Sequence, residues 1–342
     1  MNAPRVVVIG ATGAVGKVVL QVLEERTFPM SSLRLCASPR SVGKTIEFKG
    51  EEITVEVVDE RLLAECDIAF ISATDEMSRQ MGELAPKQGC IVIDDSSVWR
   101  MDPRVPLVVP EVNGDDLDQH EGVISIPNCS TTPLVMTLWP LHRQNPVRRV
   151  VVATYQSVSG TGAAAMAELS EQSREVLAGK PAVPKQYPHQ IVLNLIPHIG
   201  SLGEDGYYSE EVKMRQETQK IMHEPDVAFA ATCVRVPVQV SHSEAVFVEF
   251  QRPMTPEEAR DILTGAPGIS VVDDPSNAVY PMPIDAAGHD EVFIGRIRRD
   301  TSHPNGLAMW IVSDNLRKGA ATNAVQIAEE LVHRGMLLRQ RL

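Results

Sequence analysis

Apolar positions follow one rhythm up to about residue 128 and another beyond it. "RVVVIG" (5–10) is a continuous apolar run, as in a strand covered on both faces. "AVGKVVLQVLEER" (14–26) then takes helical spacing, with Val15, Val18, Val19, Val22 and Leu23 on one face. "LRLCAS" (33–38), "CDIAFISA" (66–73) and "CIVIDDSS" (90–97) read as further strands. "DEMSRQMGELAPKQG" (75–89) reads as a helix stopping near Gly89, a residue suited to a C-cap. Strand and helix in alternation predict a parallel, doubly wound sheet.

Past residue 128 the pattern turns β-rich. "RRVVVATYQSVSG" (148–160) is a long strand-like stretch, and "AAAMAELSEQSREVLAG" (163–179) is a strong helix. "VAFAATCVRVPVQVSHSEAVFVEF" (227–250) reads as strand-rich, with "VRVPVQVSHSEAVFV" (234–248) hairpin-like, and "EVFIGRIRRD" and "GLAMWIVSDN" as later strands. This predicts a mostly antiparallel α+β domain. "KGAATNAVQIAEELVHRGML" (318–337) closes the chain as a helix that Gly319 lets begin, expected to return to the first domain.

A chain of 342 residues suits two domains. Hydrophobic content of 43% with 23% charged residues is that of a soluble globular protein. The net charge of -13 argues against a nucleic-acid surface. Cys36, Cys66, Cys90, Cys129 and Cys233 are scattered, without CxxC spacing, so neither a disulfide framework nor a zinc site follows. "MNAPRVVVIG" enters a strand directly, unlike a signal peptide, and no apolar run has membrane-span length. These features predict a cytoplasmic protein.

Residues 10–16 read "GATGAVG" between the first strand and the first helix. Backbone amides and the helix dipole at such a turn suit a phosphate, so Gly10, Thr12, Gly13, Ala14 and Val15 are candidate cofactor residues. The spacing is GxxGxxG, which a plain tight turn can also show. After the second strand an NAD site usually carries an acid. Here "CASPRSVGK" carries Ser38, Arg40 and Ser41, with Lys44 near, which favours NADP. A solvated loop is the bland alternative.

"SIPNCSTTP" (125–133) places Cys129 between a short apolar strand and a stretch with helical spacing. Ser130, Thr131 and Thr132 are good capping types, and Pro133 is tolerated in a first turn. A thiolate is favoured at such a helix start. Free cysteines are also often small buried hydrophobes, and residue chemistry alone leaves both readings open. Of nine histidines His242 stands out, between Ser241 and Ser243 and seven residues after Arg235; Pro237 leaves their relative faces unfixed.

"GATGAVG", "SSVWRMDPRVPLVVPEVN", "SIPNCSTT", "YQSVSGTG", "EEVKM", "VRVPVQVSHSE", "DEVFIGRIRRD" and "VSDNLRKGAATNAVQIAEEL" occur in one order over residues 5 to 332. Together they closely resemble the bacterial aspartate-β-semialdehyde dehydrogenase family. The resemblance implies NADPH-dependent reductive dephosphorylation of aspartyl-4-phosphate to aspartate-4-semialdehyde, in biosynthesis of lysine, threonine, methionine and diaminopimelate. It implies Cys129 as the nucleophile that forms an acyl-thioester, His242 as acid/base and Gln156 as the side chain orienting the acyl group. Arg235 resembles the arginine for the substrate carboxylate, and Glu210 a carboxylate on the substrate side. Lys213 and Arg100 resemble a phosphate pair, and Ser159, Gly160 and Asn315 further NADP contacts. The implied fold is a Rossmann-like NADP-binding domain over 1–128, completed by 313–342, with an α+β catalytic and dimerisation domain over 129–312. The implied partners are a small-molecule substrate, phosphate and a second copy in a homodimer, with no nucleic acid, membrane or metal.

Two departures stand out. "TDEMSR" (74–79) replaces a Gly/Ser-rich turn, and Thr132-Pro133 stands where many relatives carry Ile-Gln. A related acyl-phosphate reductase, such as N-acetylglutamyl-phosphate reductase, is disfavoured by "NCST", the Glu210 and Lys213 pair and the segment from Arg235 to His242. An inactive NADP-binding relative would typically lack the cysteine or the histidine.

Overall fold

The computed structural model describes residues 3–338. The chain divides into two compact units, residues up to Asn128 with those from Ala320 onward, and Cys129–Gly319. Residues 313–319, expected with the first unit, stay with the second. The last strand runs through Ser313, and the backbone N–H of Gly319 turns back to the carbonyl of Asp314.

In the first unit β1 (Arg5–Ile9) leads into α1 (Ala14–Glu25), followed by β2 (Ser32–Cys36). An antiparallel pair, β3 (Thr45–Phe48) and β4 (Glu51–Glu56), comes next and was not foreseen. Then follow α2 (Glu60–Ala64), β5 (Ile68–Ile71), α3 (Asp75–Leu84), β6 (Ile91–Asp94), α4 (Pro110–Asn113) and β7 (Val123–Ser125). The sheet order is β3-β4-β2-β1-β5-β6-β7, parallel except for the β3–β4 pair. Strand β1 therefore lies between β2 and β5, the point where connections leave in opposite directions and where ligands of open α/β sheets bind. Val6 and Val8 join one buried cluster while Val7 and Ile9 join another, which accounts for the unbroken apolar run. "TDEMSR" is no open turn. Thr74 caps α3 through its hydroxyl, and Asp75 and Glu76 occupy the first helical turn, where the dipole favours acids.

The second unit opens with α5 (Thr131–Gln144) and β8 (Val147–Gln156), then α6 (Ala163–Leu177) and α7 (Ser209–Ile221). It continues through β9 (Ala228–Arg235), β10 (His242–Phe250), α8 (Pro256–Thr264), β11 (Ile269–Val271), α9 (Pro283–Ala286), β12 (Val292–Arg299) and β13 (Gly306–Ser313). The sheet order is β11-β12-β13-β10-β8-β9. The expected hairpin over 234–248 is not formed, because β8 lies between β9 and β10, parallel to the first and antiparallel to the second. Alternate residues of β10 point to opposite faces. His242, Glu244, Val246, Val248 and Phe250 are buried, while Phe247 is exposed. After residue 319 the chain returns to the first unit as α10 (Thr322–His333), which packs beside α1. There Asn323 donates to the carbonyl of Val108 at 2.8 Å.

Candidate active site

Cys129 stands one residue ahead of Ser130, the N-cap position of α5, where the helix dipole favours a thiolate. The expected side-chain cap is not made; Ser130 takes helical backbone angles and the helix starts without one. Cys129 is half-buried, whereas the other four cysteines are buried. Burial pushes Cys36 up to about 12 and Cys66 up to about 11, and raises Cys90 and Cys233 as well. Those four are inert hydrophobes at neutral pH.

His242 opens β10, and its Nε2 lies 3.3 Å from Cys129 Sγ. The other ring nitrogen, Nδ1, accepts from the backbone N–H of Ser157 at 3.0 Å and also meets Ser157 Oγ at 3.0 Å. An N–H can only donate, so Nδ1 is the acceptor and the neutral ring carries its proton on Nε2, facing sulfur. Burial holds His242 well below its ordinary pKa; the Arg235 charge adds to this, and a backbone contact with Ser241 opposes it.

Gln156 ends β8 and is buried; its Nε2 donates to Glu210 Oε1 at 3.3 Å. Glu210 and Lys213 lie one turn apart on α7, 3.6 Å from each other, as the helical reading required. Glu211 fixes the start of that helix, accepting from the N–H groups of Tyr208 and Cys233 at 2.7 and 3.0 Å. Arg235 ends β9 beside Gln156 in register, and its Nη1 donates to the Ser157 carbonyl at 2.6 Å. A Cβ on Gly160 would lie 3.2 Å from Arg235 Nη1 and 3.3 Å from His242 Nε2, so only glycine leaves both heads in place. Asn315 Oδ1 accepts from Ser157 Oγ, Ser159 Oγ and the N–H of Ser241 at 3.1, 3.0 and 3.0 Å.

The second unit thus brings together Cys129, His242, Gln156, Arg235, Glu210, Lys213, Ser159, Gly160 and Asn315. Arg100 belongs to the first unit, buried, its Nη2 donating to the Asp95 carbonyl at 2.7 Å. Ser157 and Ser241 were missed. Ser241 is buried with φ +76°, a left-handed conformation uncommon outside glycine, directly before the histidine. No side-chain pattern marks either serine.

In the first unit Gly10 has φ +95°, and a Cβ there would lie 2.0 Å from the carbonyl oxygen of Ser72. Gly13 is the N-cap of α1, with no side chain across the amides of Ala14 and Val15. Thr12 Oγ1 lies 3.5 Å from Ser41 Oγ. Ser38 and Arg40 are exposed on the short 3₁₀ turn Pro39–Ser41 that follows β2. An open helix start with hydroxyls and a cation beside it fits a phosphorylated dinucleotide.

Residues 5–120 match the family described as "Semialdehyde dehydrogenase, NAD binding domain", and residues 138–318 match "Semialdehyde dehydrogenase, dimerisation domain". The chain is 51% identical to an aspartate-semialdehyde dehydrogenase of Aquifex aeolicus, over 97% of this chain and 99% of that one. It is 48% identical to the Synechocystis protein of the same name, over 97% and 98% of the two chains. It belongs to the aspartate-semialdehyde dehydrogenase family. Among solved structures, aspartate semialdehyde dehydrogenase II of Vibrio cholerae, complexed with ASA, is similar at TM-score 0.95 and 43% identity, covering 97% of this chain and 99% of that one. An aspartate-semialdehyde dehydrogenase pairs an NAD(P)-binding domain with a dimerisation domain, as the two units here do.

Proposed function

We propose that this chain reduces L-aspartyl-4-phosphate to L-aspartate-4-semialdehyde, reversibly, through an acyl-thioester on Cys129. The observation that carries this reading is the contact of Cys129 Sγ with His242 Nε2 at 3.3 Å, at a helix start. Sulfur attacks the acyl carbon; a C–S bond forms as the bond to the phosphate oxygen breaks. Gln156, held by Glu210, orients the acyl group, and Arg235 pairs with the substrate α-carboxylate. Arg100 and Lys213 bind the phosphate. His242, its Nε2 facing the sulfur, serves as the acid/base, giving up a proton only from its doubly protonated form.

NADPH would supply the hydride when bound. Gly10, Thr12, Gly13, Ala14 and Val15 would hold its pyrophosphate and Ser38, Arg40 and Ser41 its 2′-phosphate, while Ser159, Gly160 and Asn315 are further candidate contacts. The absence of an acid after β2 and the exposed Arg40 support NADP over NAD.

The protein works as a homodimer in the cytoplasm, in biosynthesis of lysine, threonine, methionine and diaminopimelate. Exposed Tyr155 and Phe247, on the outward face of β8 and β10, support the dimer. Among the described residues no helix is long and apolar enough to cross a membrane.

The test is NADPH formation from aspartate-semialdehyde and NADP⁺, with and without phosphate, and then with NAD⁺. Phosphate-dependent turnover preferring NADP⁺ is expected. Absence of turnover by folded protein would overturn the reading.

A further inference from the structure

Beyond Ser313 the chain leaves β13 as the segment Asp314–Gly319, which meets both members of the cysteine–histidine pair. Near its start Asn315 Oδ1 accepts from the N–H of Ser241 at 3.0 Å, the residue directly before His242. The same oxygen accepts from Ser157 Oγ at 3.1 Å, and the N–H of Ser157 donates to the His242 ring. At the other end Gly319 lies against Cys129. A Cβ on Gly319 would stand 3.0 Å from Cys129 Cβ, 3.3 Å from its Cα and 3.2 Å from its carbonyl oxygen. Non-bonded carbons rest about 3.5–4.0 Å apart, so a side chain at 319 does not fit unless something moves. Gly319 is not among the glycines with a left-handed backbone, so it serves by leaving space and not by its conformation.

The segment is anchored at several points. Asp314 Oδ1 accepts from the N–H groups of Leu316 and Arg317 at 2.8 and 3.2 Å, and Oδ2 accepts from the N–H of Gly288 at 2.8 Å. Arg317 Nε donates to Asp290 Oδ1 at 2.8 Å. The N–H of Gly319 reaches back five residues to the Asp314 carbonyl at 3.2 Å, within the wide π-helical turn around Arg317–Ala321. Such turns recur at functional sites. Asp314 and Asn315 are both buried.

We infer that Asp314–Gly319 is the spacer that sets the separation of Cys129 Sγ from His242 Nε2. Gly319 is the positioning residue on the cysteine side and Asn315 on the histidine side, with Asp314 holding the two in fixed relation. This rests on the reading of Cys129 as nucleophile and His242 as acid/base. A Cβ at 319 lacks about 0.5 Å of room. The anchors keep the segment from yielding, so the displacement falls on Cys129 and alters its 3.3 Å contact with the ring. A misplacement of about 1 Å costs about 10²-fold in rate, so half of that should cost about tenfold. Neither Gly319 nor Asp314 is among the residues proposed to hold the substrate, so the loss should fall on kcat.

The experiment compares wild type, Gly319→Ala and Asp314→Asn. The second variant adds no bulk; it replaces one accepting oxygen by an amide nitrogen that cannot accept from an N–H, and so loosens the anchor. The readouts are kcat and KM for the semialdehyde, the rate of alkylation by iodoacetamide at neutral pH, and the urea midpoint. The other four cysteines are buried, so alkylation of the folded protein reports Cys129. Gly319→Ala should lower kcat by about tenfold, with KM changed by less than about threefold. Its alkylation should slow by about threefold or more as the sulfur loses its place beside the imidazole. Asp314→Asn should move kcat and alkylation in the same direction by a smaller factor. A glycine that merely packs would lower the urea midpoint and leave kcat and alkylation of the folded protein unchanged. That result, or a loss of kcat with alkylation unmoved, would overturn the spacer. If Gly319→Ala does not fold, Asp314→Asn decides by the same two readouts. Wild-type protein inactive on the semialdehyde would count against the proposed function instead, and the alkylation rates would still decide whether the segment positions Cys129.

Discussion

Arg235 donates to the carbonyl of Ser157 at 2.6 Å, while the N–H of the same residue donates to His242. The arginine proposed for the substrate carboxylate and the proposed acid/base are thereby tied to one residue's backbone. A guanidinium can grip that carbonyl and still present a fork to a carboxylate, whereas an ammonium cannot do both with the same geometry. Arg235→Lys should lower kcat/KM for the semialdehyde by about tenfold or more, a loss of about 1.4 kcal/mol of binding. Both KM and kcat should respond, because the His242 support shifts too. Steady-state kinetics checks this, and an effect confined to KM would show that the carbonyl contact is unimportant.

Cys129 differs from the other four cysteines in exposure and in facing a histidine. Cys129→Ala should cut turnover by about 10³-fold or more, as expected where one group carries the covalent step. Binding of NADP, measured by fluorescence or calorimetry, should stay within about twofold, since the residues expected to hold its phosphates lie in the other unit. Near-native activity would refute the nucleophile.

Continuous apolar runs carried most of the first unit's fold, because a strand buried on both faces has no polar position to hide. The β3–β4 pair was invisible for the converse reason. "TIEF" and "EEITVE" are short and rich in acids, and the two apolar residues of each, Ile46 with Phe48 and Ile53 with Val55, are too few to stand out as a strand pattern. The false hairpin over 234–248 arose because strands adjacent in sequence usually pair. Here Arg235 and His242 instead flank Gln156, which puts the three proposed site side chains at one end of the sheet. The place of Cys129 before a helix was legible, but its reading as a nucleophile, like the roles given to Gln156, Glu210 and Arg235, came from the family resemblance. Ser157 meets His242 through its backbone N–H and its hydroxyl, and no residue pattern encodes that.

Arg40 sits exposed on the turn after β2, near Ser38 and Ser41, where a 2′-phosphate would lie. A charge-assisted contact of this kind contributes about 1.5–3 kcal/mol, or about tenfold to a hundredfold in affinity. Arg40→Ala should raise KM for NADPH by about that factor and leave KM for NADH unchanged. An equal rise for both cofactors would place Arg40 away from the 2′-phosphate.

Glu244 is the least expected side chain of the second unit. It is fully buried, and neither carboxylate oxygen has a hydrogen-bond partner among the described residues. It lies between Thr154 and Ile311 in register, one step behind His242, with apolar Val246 behind it in turn. Burial pushes its carboxyl well above the usual range. In the unfolded chain it ionises near about 4.3. Between that pH and the higher folded value, the unfolded state has lost the proton while the folded state keeps it. Unfolding then releases a proton, so stability falls as pH rises, by about 1.4 kcal/mol per pH unit across that window. Glu244→Gln removes the titration without changing the shape. Its stability relative to the native protein should therefore climb as pH rises above about 5 and level off only where the folded carboxyl ionises, read as urea midpoints in parallel series. A difference that stays flat with pH would mean that Glu244 is already ionised in the folded protein and has a cationic or hydrogen-bonding partner.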